Sequence, residues 1–126
     1  MTLDMTATSV TTQTICFAAP LLPGTSLQDR DEMLSCWQGE RREEHTRSRR
    51  SHGITREAVW IQSTPAGDVA VVLIESPDLA HALLGLATSQ EAFDVWFRDH
   101  LMTVHGMDLG AGMALPEQVL SFQDPS

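Results

Sequence analysis

Val69-Ala70-Val71-Val72-Leu73-Ile74 carries an apolar residue at every position. Side chains alternate across a strand, so this run presents hydrophobic groups to both faces of a sheet. Such a strand is central and covered on both sides. One face can lie beneath the helices of its own domain. The other needs a separate cover, and a second copy of the chain is the expected one, giving a homodimer.

The flanks extend this reading. Residues 54–63 form a second β-rich run, and Thr64-Pro65-Ala66-Gly67 supplies a turn, so a hairpin is predicted from 54–63 and 68–75. Upstream, Thr14-Ile15-Cys16-Phe17-Ala18-Ala19 is short, apolar and partly β-branched, and Pro20, Pro23 and Gly24 close it as a strand and turn. Ser26 and Asp29 then mark a helix start, with the acid near the positive helix end. One long helix is predicted over residues 27–51, stopped by Gly53, with its apolar stripe at Met33, Leu34 and Trp37.

Downstream, Ser76-Pro77 predicts the N-cap and first residue of a short helix reaching about Leu86. Ser89 is expected to cap a further helix, ended by Gly106. Residues 110–115 read as loop, and Val119-Leu120-Ser121-Phe122 as a last edge strand. No repeat or linker divides the chain. A single domain is therefore expected over 13–122, between a flexible, Thr-rich tail at 1–12 and a short tail at 123–126.

The order β-α-β-β-α-(β), the length, and the pieces "LLPG", "RREEHTRSRRSHGITREAVW" and "FDVWFRDHL" resemble the dimeric α/β-barrel proteins. The resemblance spans roughly residues 13–122 and implies an α+β, ferredoxin-like fold with helices on one face of an antiparallel sheet. In that superfamily the partner's sheet covers the other face, which would explain the doubly apolar strand. Its members include cofactor-independent monooxygenases, lactone isomerases, polyketide cyclases and heme enzymes, so the resemblance implies architecture more than chemistry.

Composition narrows the function classes. The formal net charge is −9, a field that repels nucleic acid unless cations are segregated on one face. Arg41, Arg42, Arg47, Arg49 and Arg50 do cluster, but Glu40, Glu43 and Glu44 interleave with them, as on a solvated helix. Nucleic-acid binding is not expected. No apolar run approaches the ~20 residues of a membrane span, and the N-terminus lacks the pattern of a secretory signal. Cys16 and Cys36 are too few and too far apart for a disulfide framework or a CxxC motif. A cytoplasmic protein is expected.

Two stretches can carry chemistry. On the long helix His45, Ser48 or Arg49, and His52 share one face. That face either lines a cavity against the sheet, with two imidazoles able to move protons, or overhangs the core in water. In the last helix Phe93, Trp96, Phe97, His100 and Val104 form one apolar stripe, with His100 its single titratable group. His100 is either a hydrogen-bonded core residue or the acid–base of an apolar cleft, where desolvation would favour the neutral imidazole. Asp94 and Arg98 are spaced as a surface pair, and Glu57 is the best carboxylate partner for a pocket histidine.

Metal ligation is not expected: His100 and His105 diverge on a helix, and His45 and His52 lie about 10.5 Å apart along the axis. No cofactor is expected, although the resemblance leaves open a heme on His100. Glycine-rich nucleotide loops and hydrolase elbows are absent from the sequence, and so is tyrosine, which removes the phenol acids of some cyclases. Two hypotheses remain. One is a cofactor-independent enzyme, an isomerase, cyclase or monooxygenase, acting on a small apolar molecule. It would use His100, His45, His52 and Glu57 as acid–base groups and Trp37, Arg49, Trp60, Trp96 and Phe97 as the binding walls. The other is a non-catalytic dimeric ligand-binding or structural module.

Overall fold

A computed structural model describes residues 11–125. It is an α+β domain of three strands and four helices: β1 (Gln13–Pro20), α1 (Ser26–Gln38), α2 (Arg42–Ser51), β2 (Arg56–Thr64), β3 (Gly67–Ser76), α3 (Leu79–Thr88) and α4 (Ala92–His105). A single 3-10 turn, Leu109–Ala111, follows α4. The tail expected over residues 1–12 lies outside the described residues except for Thr11 and Thr12.

The sheet is antiparallel in the order β1-β3-β2, so the apolar run of β3 is indeed central. Register assigns its two faces. Cys16, Leu73 and Ala58 stand side by side on one face, as do Ala18, Val71 and Trp60. The opposite face carries Ile15, Ile74 and Glu57, then Phe17, Val72 and Val59, then Ala19, Ala70 and Ile61. The helices pack on this second face, where Ile54, Ile74, Leu79, Ala82, Leu86 and Leu109 form the main core. Cys36, Phe93 and Phe97 form a second cluster, and Leu101 touches both.

The long helix of the sequence reading is two helices. Gly39 breaks it with an extended backbone at the end of α1. A Cβ there would come within 2.8 Å of the Ser35 Cα, so the tight chain reversal admits only glycine. The inward face of α1 also differs from the expected stripe. Asp29 and Cys36 are buried and Met33 half-buried, while Leu34 sits on the rim and Trp37 is 68% exposed.

Three further expectations are corrected. Helix α3 starts later than Ser76: its cap is Asp78, whose carboxylate accepts the His81 N–H, while Ser76 Oγ accepts the Asp78 N–H. Ser89 does not cap α4. Its hydroxyl accepts the Glu91 N–H one residue before the helix begins. The run at Val119, Leu120 and Phe122 forms no strand and is more than 80% exposed. Its two consecutive apolar residues would face opposite sides of a strand, leaving half of their surface in water. Gly106, by contrast, ends α4 in the left-handed conformation as the sequence requires (φ 67°).

Candidate ligand-binding site

One cavity lies against the inner face of the sheet, and a second, open groove takes residues of β2 from both faces. The inner cavity, about 60 Å³, sits between sheet and helices and is walled mainly by apolar groups such as Phe17, Val72, Leu83, Leu86 and Leu101. Its polar lining residues are Asp29, Glu57, His100 and His105. The outer one is an open groove of about 1140 Å³ beside α1, α2 and the edge strand β2, and Trp37, Trp60, Arg42 and His45 stand on its walls. Met33, Glu57, Val59 and Phe97 border both.

His100 is the polar end of the inner cavity, and helix periodicity places it there. Phe93, Phe97, His100 and Val104 form the buried side of α4. Across the gap, the first turns of α1 bring two carboxylates. Asp29 Oδ1 lies 2.8 Å from His100 Nε2, and Glu32 Oε1 lies 2.5 Å from Nδ1. Trp96 and Phe97 stack on the imidazole, with ring centroids 5.7 and 6.2 Å away.

Burial by itself would lower the pKa of this imidazole, as the sequence reading assumed. The bonds to Asp29 and Glu32 outweigh it and raise the value instead. Both ring nitrogens then donate to carboxylates, so His100 is a held imidazolium rather than a free base. Asp29 is left with one oxygen unused: Oδ2 is buried and has no hydrogen-bond partner among the described residues.

A second polar network joins α2 to the sheet and to α4. Arg49 grips Glu57 with two nitrogens, at 2.8 and 3.3 Å, and His45 bonds the same carboxylate at 2.7 Å. Burial would push the Glu57 carboxyl up, but Arg49 and His45 pull it down to about 2. Arg49 also donates to Ser48, and its guanidinium lies 4.3 Å from the Phe97 ring centroid. Ser48 donates to Asp94 Oδ1 at 2.5 Å, and His52 donates to Oδ2 at 2.8 Å. Desolvation of Asp94 is overcome by Ser48, Ser89 and His52, which hold its carboxyl below the usual range. Ser48 is no nucleophile here, because its proton is committed to a carboxylate and no histidine nitrogen receives it.

These positions revise several expectations. The face of α2 with His45, Ser48 and Arg49 turns inward, and Ser48 and Arg49 are buried, while Arg42, Arg47 and Arg50 of the same basic run remain exposed. Asp94 and Arg98 are no surface pair. Asp94 is 2% exposed and serves α2, while Arg98 reaches the Leu86 and Ser89 carbonyls at the end of α3. Of the proposed acid–base residues, His100 and Glu57 line the inner cavity, His45 and Glu57 line the groove, and His52 lines neither. Of the proposed walls, Phe97 serves both spaces, Trp37 and Trp60 only the groove, and Arg49 and Trp96 neither. Asp29 and Glu32 were missed as site residues. Their signal was spacing: Asp29, Glu32, Met33 and Cys36 recur as one helical face.

No group of three or more histidine, cysteine or acidic side chains among the described residues is arranged to hold a metal ion. No helix among them is long and apolar enough to cross a membrane. Neither a protein-family model nor a curated protein matches this sequence.

Proposed function

We propose that this chain is a homodimeric binding protein for a small, mostly apolar molecule, with the ferredoxin-like dimeric α/β-barrel architecture and a cytoplasmic location. The observation that carries the reading is the inner cavity itself, an apolar chamber with few polar lining residues, among them the bonded pair Asp29 and His100. Few convergent polar groups on apolar walls are the hallmark of small-molecule sites. At ~10–15 Å³ for each water-sized sphere, about four to six heavy atoms fit. A larger ligand would extend past Met33 and Phe97 into the groove.

Binding is favoured over catalysis because both nitrogens of His100 are engaged by carboxylates, leaving none to exchange a proton with a ligand. The dimer is supported by the sheet face that the helices leave open among the described residues, where Cys16, Ala18, Ala58, Trp60, Val71 and Leu73 form two adjoining apolar rows.

The test is methyl-detected NMR titration with a panel of small alcohols, amines and hydrocarbons. Binding should shift the methyls of Val72, Leu83, Leu86 and Leu101 together. Val72→Phe, which fills the chamber, should abolish those shifts while leaving the circular dichroism spectrum intact. If no compound moves these methyls, the chamber is only a packing defect and the reading fails.

A further inference from the structure

Asp29 is the least satisfied polar residue of the cavity. The residue is 1% exposed, it lines the chamber, and one of its carboxylate oxygens has no donor among the described residues. A buried carboxylate oxygen left bare carries a large desolvation cost, which a donor supplied by a ligand would remove.

Charge says which donor. The array holds two carboxylates, Asp29 and Glu32, against one imidazolium, His100, so one formal negative charge is uncompensated. The other carboxylate on the wall, Glu57, is already matched by Arg49 and His45. His105, the remaining titratable lining residue, commits Nδ1 to the Pro20 carbonyl. The nearby cation Arg41 lies over the Trp96 ring and is engaged by the Ser35 hydroxyl and the Glu40 carboxylate. A neutral hydroxyl would satisfy the hydrogen bond and leave the charge. An ammonium group satisfies both.

We propose that the ligand is a small protonated amine with an apolar body, its ammonium set against the Asp29 carboxylate and its alkyl group lying among Val72, Leu83, Leu86 and Leu101. This rests on the small-molecule reading above and adds the ligand class. The acidity of the whole chain, net −9, favours the approach of such a cation.

The experiment compares isobutylamine with isobutanol, which match in size and differ in charge, by NMR titration of the full chain near neutral pH. Isobutylamine should bind at least 10-fold more tightly, with shifts at the cavity methyls. In Asp29→Asn that preference should vanish while isobutanol binding is kept. Equal or tighter isobutanol binding at the same methyls would overturn the amine assignment and leave the pocket standing. Absence of binding by both would remove the assignment together with the pocket. An undiminished amine preference in Asp29→Asn would overturn the role of Asp29. If that variant does not fold, Glu32→Gln decides: it lifts the surplus charge from a more exposed position, and an unchanged preference would refute the proposal.

Discussion

His100 Nε2 and Asp29 Oδ1 stand 2.8 Å apart across the interface of α4 and α1, with 1% and 2% of their side chains exposed. Together with Glu32, this contact fixes the first turns of α1 against the middle of α4 and sets the charge of the chamber. Losing one member of such a buried pair strands the other, which typically costs ~3–5 kcal/mol.

The raised pKa of His100 gives the pair a pH signature. In the unfolded chain the imidazole titrates near ~6.5. Its folded value is higher, so its stabilisation is complete below about pH 6.5 and is lost as pH rises through the folded value. Urea-unfolding midpoints should therefore fall as pH rises above about 6.5 through the folded value. His100→Gln should be less stable at about pH 6 and should lose this decline. An identical decline in the variant would show that other groups cause it.

Glu57 acts in the opposite direction. Its carboxyl is lowered from 4.5 to about 2, so the stability it provides is present above about pH 4.5 and is lost as pH falls through about 2. Glu57→Gln should destabilise the protein at neutral pH by about 3 kcal/mol and shrink the acid limb of the stability profile. Urea titrations of both proteins across the acid range measure this. A cost under ~1 kcal/mol would mean that the Arg49–Glu57–His45 cluster contributes only as much as a surface pair.

Gly85 lies in α3, where replacing a glycine by alanine ordinarily stabilises a helix by ~1 kcal/mol. Here the new Cβ would come within 2.4 Å of His52 Nδ1. Gly85→Ala should therefore displace His52 from Asp94 and destabilise by about 1–3 kcal/mol, as overpacking does. In a His52→Ala background the same change should become neutral or stabilising. A double-mutant cycle by thermal unfolding checks the sign change, and additive effects would refute the contact.

Val71 and Val72 are neighbours with different assignments. Val71 stands between Ala18 and Trp60 on the open face, and Val72 between Phe17 and Val59 under the helices. The proposed dimer predicts that the wild type sediments at twice 13.9 kDa at micromolar concentration and that Val71→Asp gives a folded monomer of 13.9 kDa. Val72→Asp should unfold the chain, because it places a charge in the core. A wild-type chain that sediments as a monomer would remove the dimer.

The sequence by itself determined the central strand, its hairpin with the preceding strand, the first strand and the stop of α4 at Gly106. Each is written in contacts between near neighbours: a period-2 run, a Pro/Gly turn, a residue that must take positive φ. It also singled out His100, and it marked the shared face of His45, Ser48, Arg49 and His52 while leaving open whether that face is buried or wet. Tertiary structure alone decided the break at Gly39, whose backbone folds onto Ser35, and the rotation of α1 that exposes Trp37 and buries Asp29. A pattern read from apolar residues counts a carboxylate as surface. Whether it is buried depends on partners that pay its desolvation, and those lie far along the chain: Asp29 meets His100 across 71 residues, and Asp94 meets Ser48 across 46. The fold brings them together, and with them the charge that gives the chamber its chemistry.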